Sequence, residues 1–221
     1  MSILEFKQLS FGFDSNPFIK DLNFELSGGL NWLVGGDGKG KTSVLKLITN
    51  ELKPQNGEIN YHSTLKSLGN SCYKEIFWIN PNQIQFENNT ALEAWTEIKK
   101  SYPRWNQELC LELAQAFSLT PHLTKPLYML SAGSKRKVWL CAAFAASATL
   151  TLIDEPFAAL DLASQQIVLE LLEDCMYHPT KAYFNGRYCK QQIPPLAHHA
   201  LQEYLHRSTQ KSCPCTTMIR I

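Results

Sequence analysis

A chain of 221 residues, 44% of them hydrophobic, has the length and apolar content to bury a core of domain size. Its formal charge of +1 sets up no global field that would gather nucleic acid or an anionic membrane surface, so no nucleic-acid partner is expected. The longest run without a charged residue, Val138 to Ile153, falls short of the ~20 residues that a membrane-spanning helix needs, and Met1 to Lys7 lacks the basic, apolar and small-residue succession of a signal peptide.

The chain opens with strand-like segments, Ile3 to Phe6, Leu9 to Phe13 and a loosely alternating Phe18 to Leu26. Asn31-Trp32-Leu33-Val34 is a compact apolar run of the kind that is buried on both faces of a parallel sheet. A glycine-rich stretch follows, and Thr42 to Leu52 then carries Val44, Leu45, Leu47 and Ile48 at helical spacing, with Pro54 just beyond. Asn56 to Ile59 reads as a turn leading into a strand, and Ile76 to Ile79 as a strand stopped by Asn80-Pro81-Asn82. From about Asn88 to Pro126 the pattern is helical and is broken by Pro103; with the helix expected over Ser134 to Ala146, it forms a helical lobe, about 88–146, inserted in the core. Thr149 to Ile153 is a second buried strand, and Asp161 to Cys175 a further helix. Ala182 to Phe184 is a last candidate strand. The tail, about 185–221, loses its apolar period and reads as atypical and poorly ordered. The seven cysteines suggest neither a disulfide framework nor a zinc site, since five are scattered and Cys213 and Cys215 lack a second pair.

Gly35-Gly36-Asp37-Gly38-Lys39-Gly40-Lys41-Thr42, with Ser43 after it, satisfies the spacing of a phosphate-binding loop between a strand and a helix. Glycines let successive backbone N–H groups turn inward around a phosphate, and the start of the helix directs its positive end at the same anion. Lys41 is expected on the outer phosphates and the Thr42 hydroxyl on Mg²⁺. Lys39 is a second cation in the loop, where a small residue is expected. Leu150 to Pro156 is an apolar strand ending in two acids: Asp154 is placed to hold Mg²⁺, and Glu155 to take a proton from an attacking water.

Leu130-Ser131-Ala132-Gly133-Ser134 resembles the LSGGQ signature of ATP-binding cassette (ABC) proteins, Ala159-Leu160-Asp161 resembles their D-loop, and Pro54 to Ile59 resembles their P-x-x-G-E-I turn. With the phosphate loop and the two acids, these motifs occur in the family's order over residues 1 to about 175. The resemblance implies an α/β fold, a P-loop core with a mostly parallel sheet, N-terminal antiparallel strands and an inserted helical lobe, in one domain spanning 1–221. It further implies two cassettes packed head to tail around two ATP molecules. Ser131 and Gly133 of one chain then cap the γ-phosphate held by the other, and Phe13, or Phe11 on the same face, stacks on adenine. The activity implied is ATP hydrolysis powering an ABC transporter, at the cytoplasmic face of the membrane and with a separate transmembrane permease subunit. The short helical lobe and Tyr102-Pro103-Arg104-Trp105-Asn106 look closest to exporter-type cassettes, small heme exporters among them.

Two elements depart from the family's pattern. Its glutamine after the strand at Ile76 corresponds to Gln83 or is replaced by Asn82; Gln83 is taken as the catalytic and Mg²⁺-directed residue. No histidine follows Ala182-Tyr183-Phe184, where the family carries one on the γ-phosphate, and His178, His198 and His199 match that position poorly. A cassette with impaired hydrolysis acting as a regulatory module, and a soluble ABC ATPase outside transport, therefore stay open as alternatives.

Overall fold

The computed structural model describes residues 2–62, 75–78, 85–176, 178, 180–187 and 216–220. Gln83 and Asn82, expected at the nucleotide, lie outside them, as do His198 and His199. Strands β1 (Ser2–Phe11), β2 (Ile19–Ser27) and β4 (Asn56–Tyr61) form an antiparallel sheet in the order β2-β1-β4. The two strands expected in the first thirteen residues are one, continuous through an irregularity at Gln8, whose φ is 47°.

The second sheet is parallel, in the order β5-β6-β7-β3-β8, from β3 (Gly29–Val34), β5 (Ile76–Phe77), β6 (Leu150–Asp154), β7 (Ala182–Arg187) and β8 (Thr216–Arg220). Its alternation explains the continuous apolar runs. Leu33, Leu150, Leu152, Ala182 and Phe184 face one core, shared with Val44, Leu45, Leu47 and Ile48 and with Ile3, Leu4 and Phe6 of the antiparallel sheet. Leu30, Trp32, Ile153 and Tyr183 face a second core, built with the helices. The stretch expected to be an atypical tail supplies part of β7 and all of β8, so β3 lies between two strands from late in the chain.

The helices are α1 (Lys41–Ile48), α2 (Ala91–Lys99), α3 (Gln107–Ala116), α4 (Ala132–Ala145) and α5 (Leu162–Cys175). Helix α1 ends four residues before the expected Leu52, its turn closed by Thr49, with Asn50 in the left-handed region at φ 59°. Thr90 with Glu93 caps α2 in a reciprocal box, and Asn106, Ser131 and Asp161 cap α3, α4 and α5 through their side chains. Trp95 Nε1 on α2 donates to the Val138 carbonyl of α4 (3.1 Å), and the Asn106 amide to that of Ala145 (2.8 Å). Arg104 pairs with Glu75, and Thr149 Oγ1 donates to the same buried carboxylate. No helix among the described residues is long and apolar enough to cross a membrane.

Candidate functional site

Strand β3 stops at Val34 and the chain turns through 35–40 into α1. Gly40 makes this turn with φ 91°, and a Cβ there would lie 2.5 Å from the Phe18 ring, so both the dihedral and the space require glycine. Unlike the four later α-helices, α1 has no side-chain cap, and its first turn carries no acid. Its N-terminal amides are therefore left to an external acceptor, at the positive end of the helix dipole. Lys41 is 5% exposed, and its ammonium donates to the carbonyls of Gly35 (3.1 Å) and Gly36 (2.6 Å). Asp37, Gly38 and Lys39 are exposed on the loop, while Ser43 is buried on α1.

Thr42 Oγ1 donates to Asp154 Oδ2 at 2.6 Å, joining the phosphate loop to the end of β6. Asp154 is buried, and its Oδ1 meets no donor among the described residues. A hydroxyl beside a buried carboxylate with an unpaired oxygen is an all-oxygen donor set of the kind Mg²⁺ takes, so these residues fit that ion. Glu155 follows in the left-handed region (φ 50°), and its carbonyl accepts from the Ala158 amide (3.1 Å) as the chain turns away from the sheet. Arg136 Nη1 donates to the Asp154 carbonyl at 2.7 Å. Burial lowers the pKa of this guanidinium, while the charges of Glu155 and Asp154 oppose that shift.

The signature segment opens α4. Ser131 Oγ accepts from the Ser134 amide (3.1 Å), and Ser131 is exposed. Gly133 packs so tightly on the D-loop that a Cβ there would stand 2.4 Å from the Ala159 carbonyl oxygen; Ala159 itself has φ 61°. Lys137 Nζ is 2.7 Å from Asp161 Oδ2, and that hydrogen bond, followed by one from the Ser164 amide, holds the Asp161 carboxyl well below the usual carboxylate range.

Phe11 and Phe13 do not lie on one strand, although their rings meet edge to face with centroids 5.3 Å apart. Strand β1 ends at Phe11, which is buried, and Phe13 lies beyond it, 76% exposed. The Phe13 ring stacks on Phe18 with centroids 5.8 Å apart, and Phe18 in turn rests on Gly40, which fixes the aromatic pair against the phosphate loop. Phe18, Arg136 and the Lys137–Asp161 pair were not singled out from sequence. Proximity of Phe18 to the loop arises from the antiparallel fold-back, which no local spacing encodes. His178 precedes β7, and its Nδ1 accepts from the Lys181 amide (3.1 Å), which puts it at the opposite end of the parallel sheet from the loop. At the near end, Gly186 is in register with Asp154 and Arg187 with Val34.

A phosphate loop between a central parallel strand and an uncapped helix, bonded to an acid at the end of a neighbouring strand, defines a P-loop nucleotide-binding protein. The ABC transporter family profile matches residues 19–158. The cytochrome c biogenesis ATP-binding export protein CcmA of Escherichia coli K12 is 30% identical over 165 residues, covering 73% of this chain and 78% of that protein. The protein of the same name from Legionella pneumophila strain Lens is 28% identical over 186 residues, 78% of this chain and 86% of its own length. Among solved structures, the ATP-binding subunit of an ABC transporter superposes with a TM-score of 0.74 at 22% identity, covering 99% of this chain and 88% of that one. A putative ABC transporter ATP-binding protein from Pyrococcus furiosus gives 0.69 at 23% identity, covering 86% and 93%. The chain belongs to the ABC transporter family, as an ATP-binding cassette subunit.

Proposed function

We propose that this chain binds and hydrolyses Mg-ATP as one of two cassettes that close on two nucleotides, and that it drives a separate membrane-spanning permease from the cytoplasmic face. The observation that carries this reading is the Thr42–Asp154 hydrogen bond, which joins the loop holding Lys41 to a buried carboxylate with one unpaired oxygen. The amides of Gly35 to Thr42 cradle the phosphates and Lys41 neutralises the outer ones. Thr42 and Asp154 hold Mg²⁺, with Gln83 as a further ligand; the ion, when bound, offsets negative charge on the phosphate oxygens. Glu155 orients the attacking water and accepts its proton. Phe13, braced by Phe18, stacks on adenine. Ser131 and the Gly133 amide, at the start of α4, bind the γ-phosphate held by the second cassette.

The relatives named for export in cytochrome c biogenesis support outward transport. With no histidine directly after Ala182-Tyr183-Phe184, hydrolysis proceeds more slowly than in a cassette with that group there. The test is Glu155→Gln. It removes the proton acceptor and leaves the nucleotide contacts, so ATP should convert the monomer into a stable species of twice the mass while turnover falls. A variant that stays monomeric with saturating ATP rules out the sandwich. One that hydrolyses ATP as fast as the unaltered protein removes Glu155 from the chemistry and favours a binding-only regulatory module.

A further inference from the structure

We infer that Arg136 is a positioning residue for hydrolysis, holding the peptide from which Glu155 projects. This rests on the reading of Glu155 as the water-activating carboxylate. The Asp154 carbonyl that accepts from Arg136 Nη1 belongs to the peptide bond joining the two acids, so the guanidinium grips the peptide unit that leads directly into the Glu155 Cα. Glu155 has φ 50°, a strained conformation for a residue with a side chain, which persists only where surrounding contacts hold it. Direction matters here, because that dihedral decides where the carboxylate leaves the backbone at the end of β6.

Arg136 does not act alone on this turn. Gly133, Arg136 and Lys137 are three and four residues apart on α4 and therefore share a face. Each meets the acid-bearing turn at a successive point: Arg136 at Asp154, Gly133 at Ala159 and Lys137 at Asp161. Three contacts along one helix face hold the 154–161 segment as a unit against α4, with Arg136 at its Glu155 end. The helix that presents Ser131 and Gly133 to one nucleotide thus steadies the acid that works on the other.

The experiment uses the full chain, with turnover and equilibrium ATP affinity measured separately for Arg136→Met, Arg136→Lys, Glu155→Gln and the unaltered protein. Arg136→Met should lower kcat by about 100-fold, the scale for a catalytic group displaced by ~1 Å, with ATP affinity changed less than about twofold. Arg136→Lys should recover part of kcat, because an ammonium still offers one donor to the Asp154 carbonyl. A folded Arg136→Met with kcat close to that of the unaltered protein overturns the inference. So does a loss confined to thermal stability and ATP affinity with no split between affinity and kcat. If the Met variant does not fold, Arg136→Lys carries the test: a kcat lying between those of Glu155→Gln and the unaltered protein at unaltered affinity supports positioning, and an unaltered kcat refutes it. Unimpaired turnover by Glu155→Gln would instead bring down the reading of Glu155 itself, whatever Arg136 does.

Discussion

Replacing Gly133 by alanine adds one methyl group at the point where α4 and the D-loop touch. The new Cβ would lie 2.4 Å from the Ala159 carbonyl oxygen, about 1 Å inside the ~3.4 Å of an ordinary C···O contact. The obstacle is backbone, not the end of a flexible side chain, and Ala159 already sits at φ 61°, so neither partner has a cheap way to yield. An inserted methyl group that forces such a shift costs about 1–3 kcal/mol, equivalent to a fall in Tm of about 2–12 °C for a chain of this size. The assay is thermal unfolding of the nucleotide-free protein followed by circular dichroism. Without nucleotide, any loss comes from the clash within the chain and not from a missing phosphate contact. Turnover should fall as well, since the displaced segment carries Glu155 at its other end. A Tm within about 1 °C of the unaltered protein would show that the turn moves freely, and would undo the picture of a segment clamped to α4.

Three buried thiols give a second test. Burial pushes Cys110 and Cys175 up to about 12, and Cys141 is raised well above its ordinary value. None should take up iodoacetamide at pH 8 in the folded protein and all should after unfolding, as read by peptide mass; native labelling of Cys110 would contradict the packing of α3 on α4. Asp161 supplies a pH test. Its folded pKa is depressed by Lys137, so the pair's contribution is present above the unfolded value of about 3.9 and is lost as pH falls through the folded one. The stability gap between the unaltered protein and Lys137→Met should accordingly be full at pH 7 and shrink below about pH 4, measured by urea unfolding at several pH values; a gap constant down to pH 3 would refute the pairing.

The sequence was most legible where one physical demand acts alone. Asn31 to Leu33 and Leu150 to Asp154 are buried throughout and read as compact, largely apolar runs, and the glycines between β3 and α1 announce a turn that only they can make. Asp161 and Ser131, expected within or beside helices, are their N-caps: α5 starts one residue after the expected Asp161, and α4 two residues before the expected Ser134. Strand β8 was illegible because Thr216-Thr217-Met218-Ile219-Arg220 carries no run of its own; it is a strand because β3 offers it an edge. Phe13 falls outside the expected strand because β1 ends two residues earlier, at Phe11. The hold of α4 on the acid-bearing turn escaped for another reason. Arg136 and Asp154 are distant in sequence, and nothing in a basic residue on an amphipathic helix distinguishes a solvated arm from one bonded to a carbonyl.

The strand that launches the phosphate loop has both of its hydrogen-bonded neighbours, β7 and β8, more than 140 positions further along. During synthesis the loop's glycines and lysine are made before either of those strands, so the strand anchoring them stays unpaired on both edges until residues 182–220 have followed. Closing loops of that length is slow, and an uncovered apolar strand is open to wrong pairings meanwhile. Nucleotide added to a nascent or clipped chain that lacks those last strands should meet an unformed cradle, which makes tight ATP binding a readout of whether the late strands have reached the sheet.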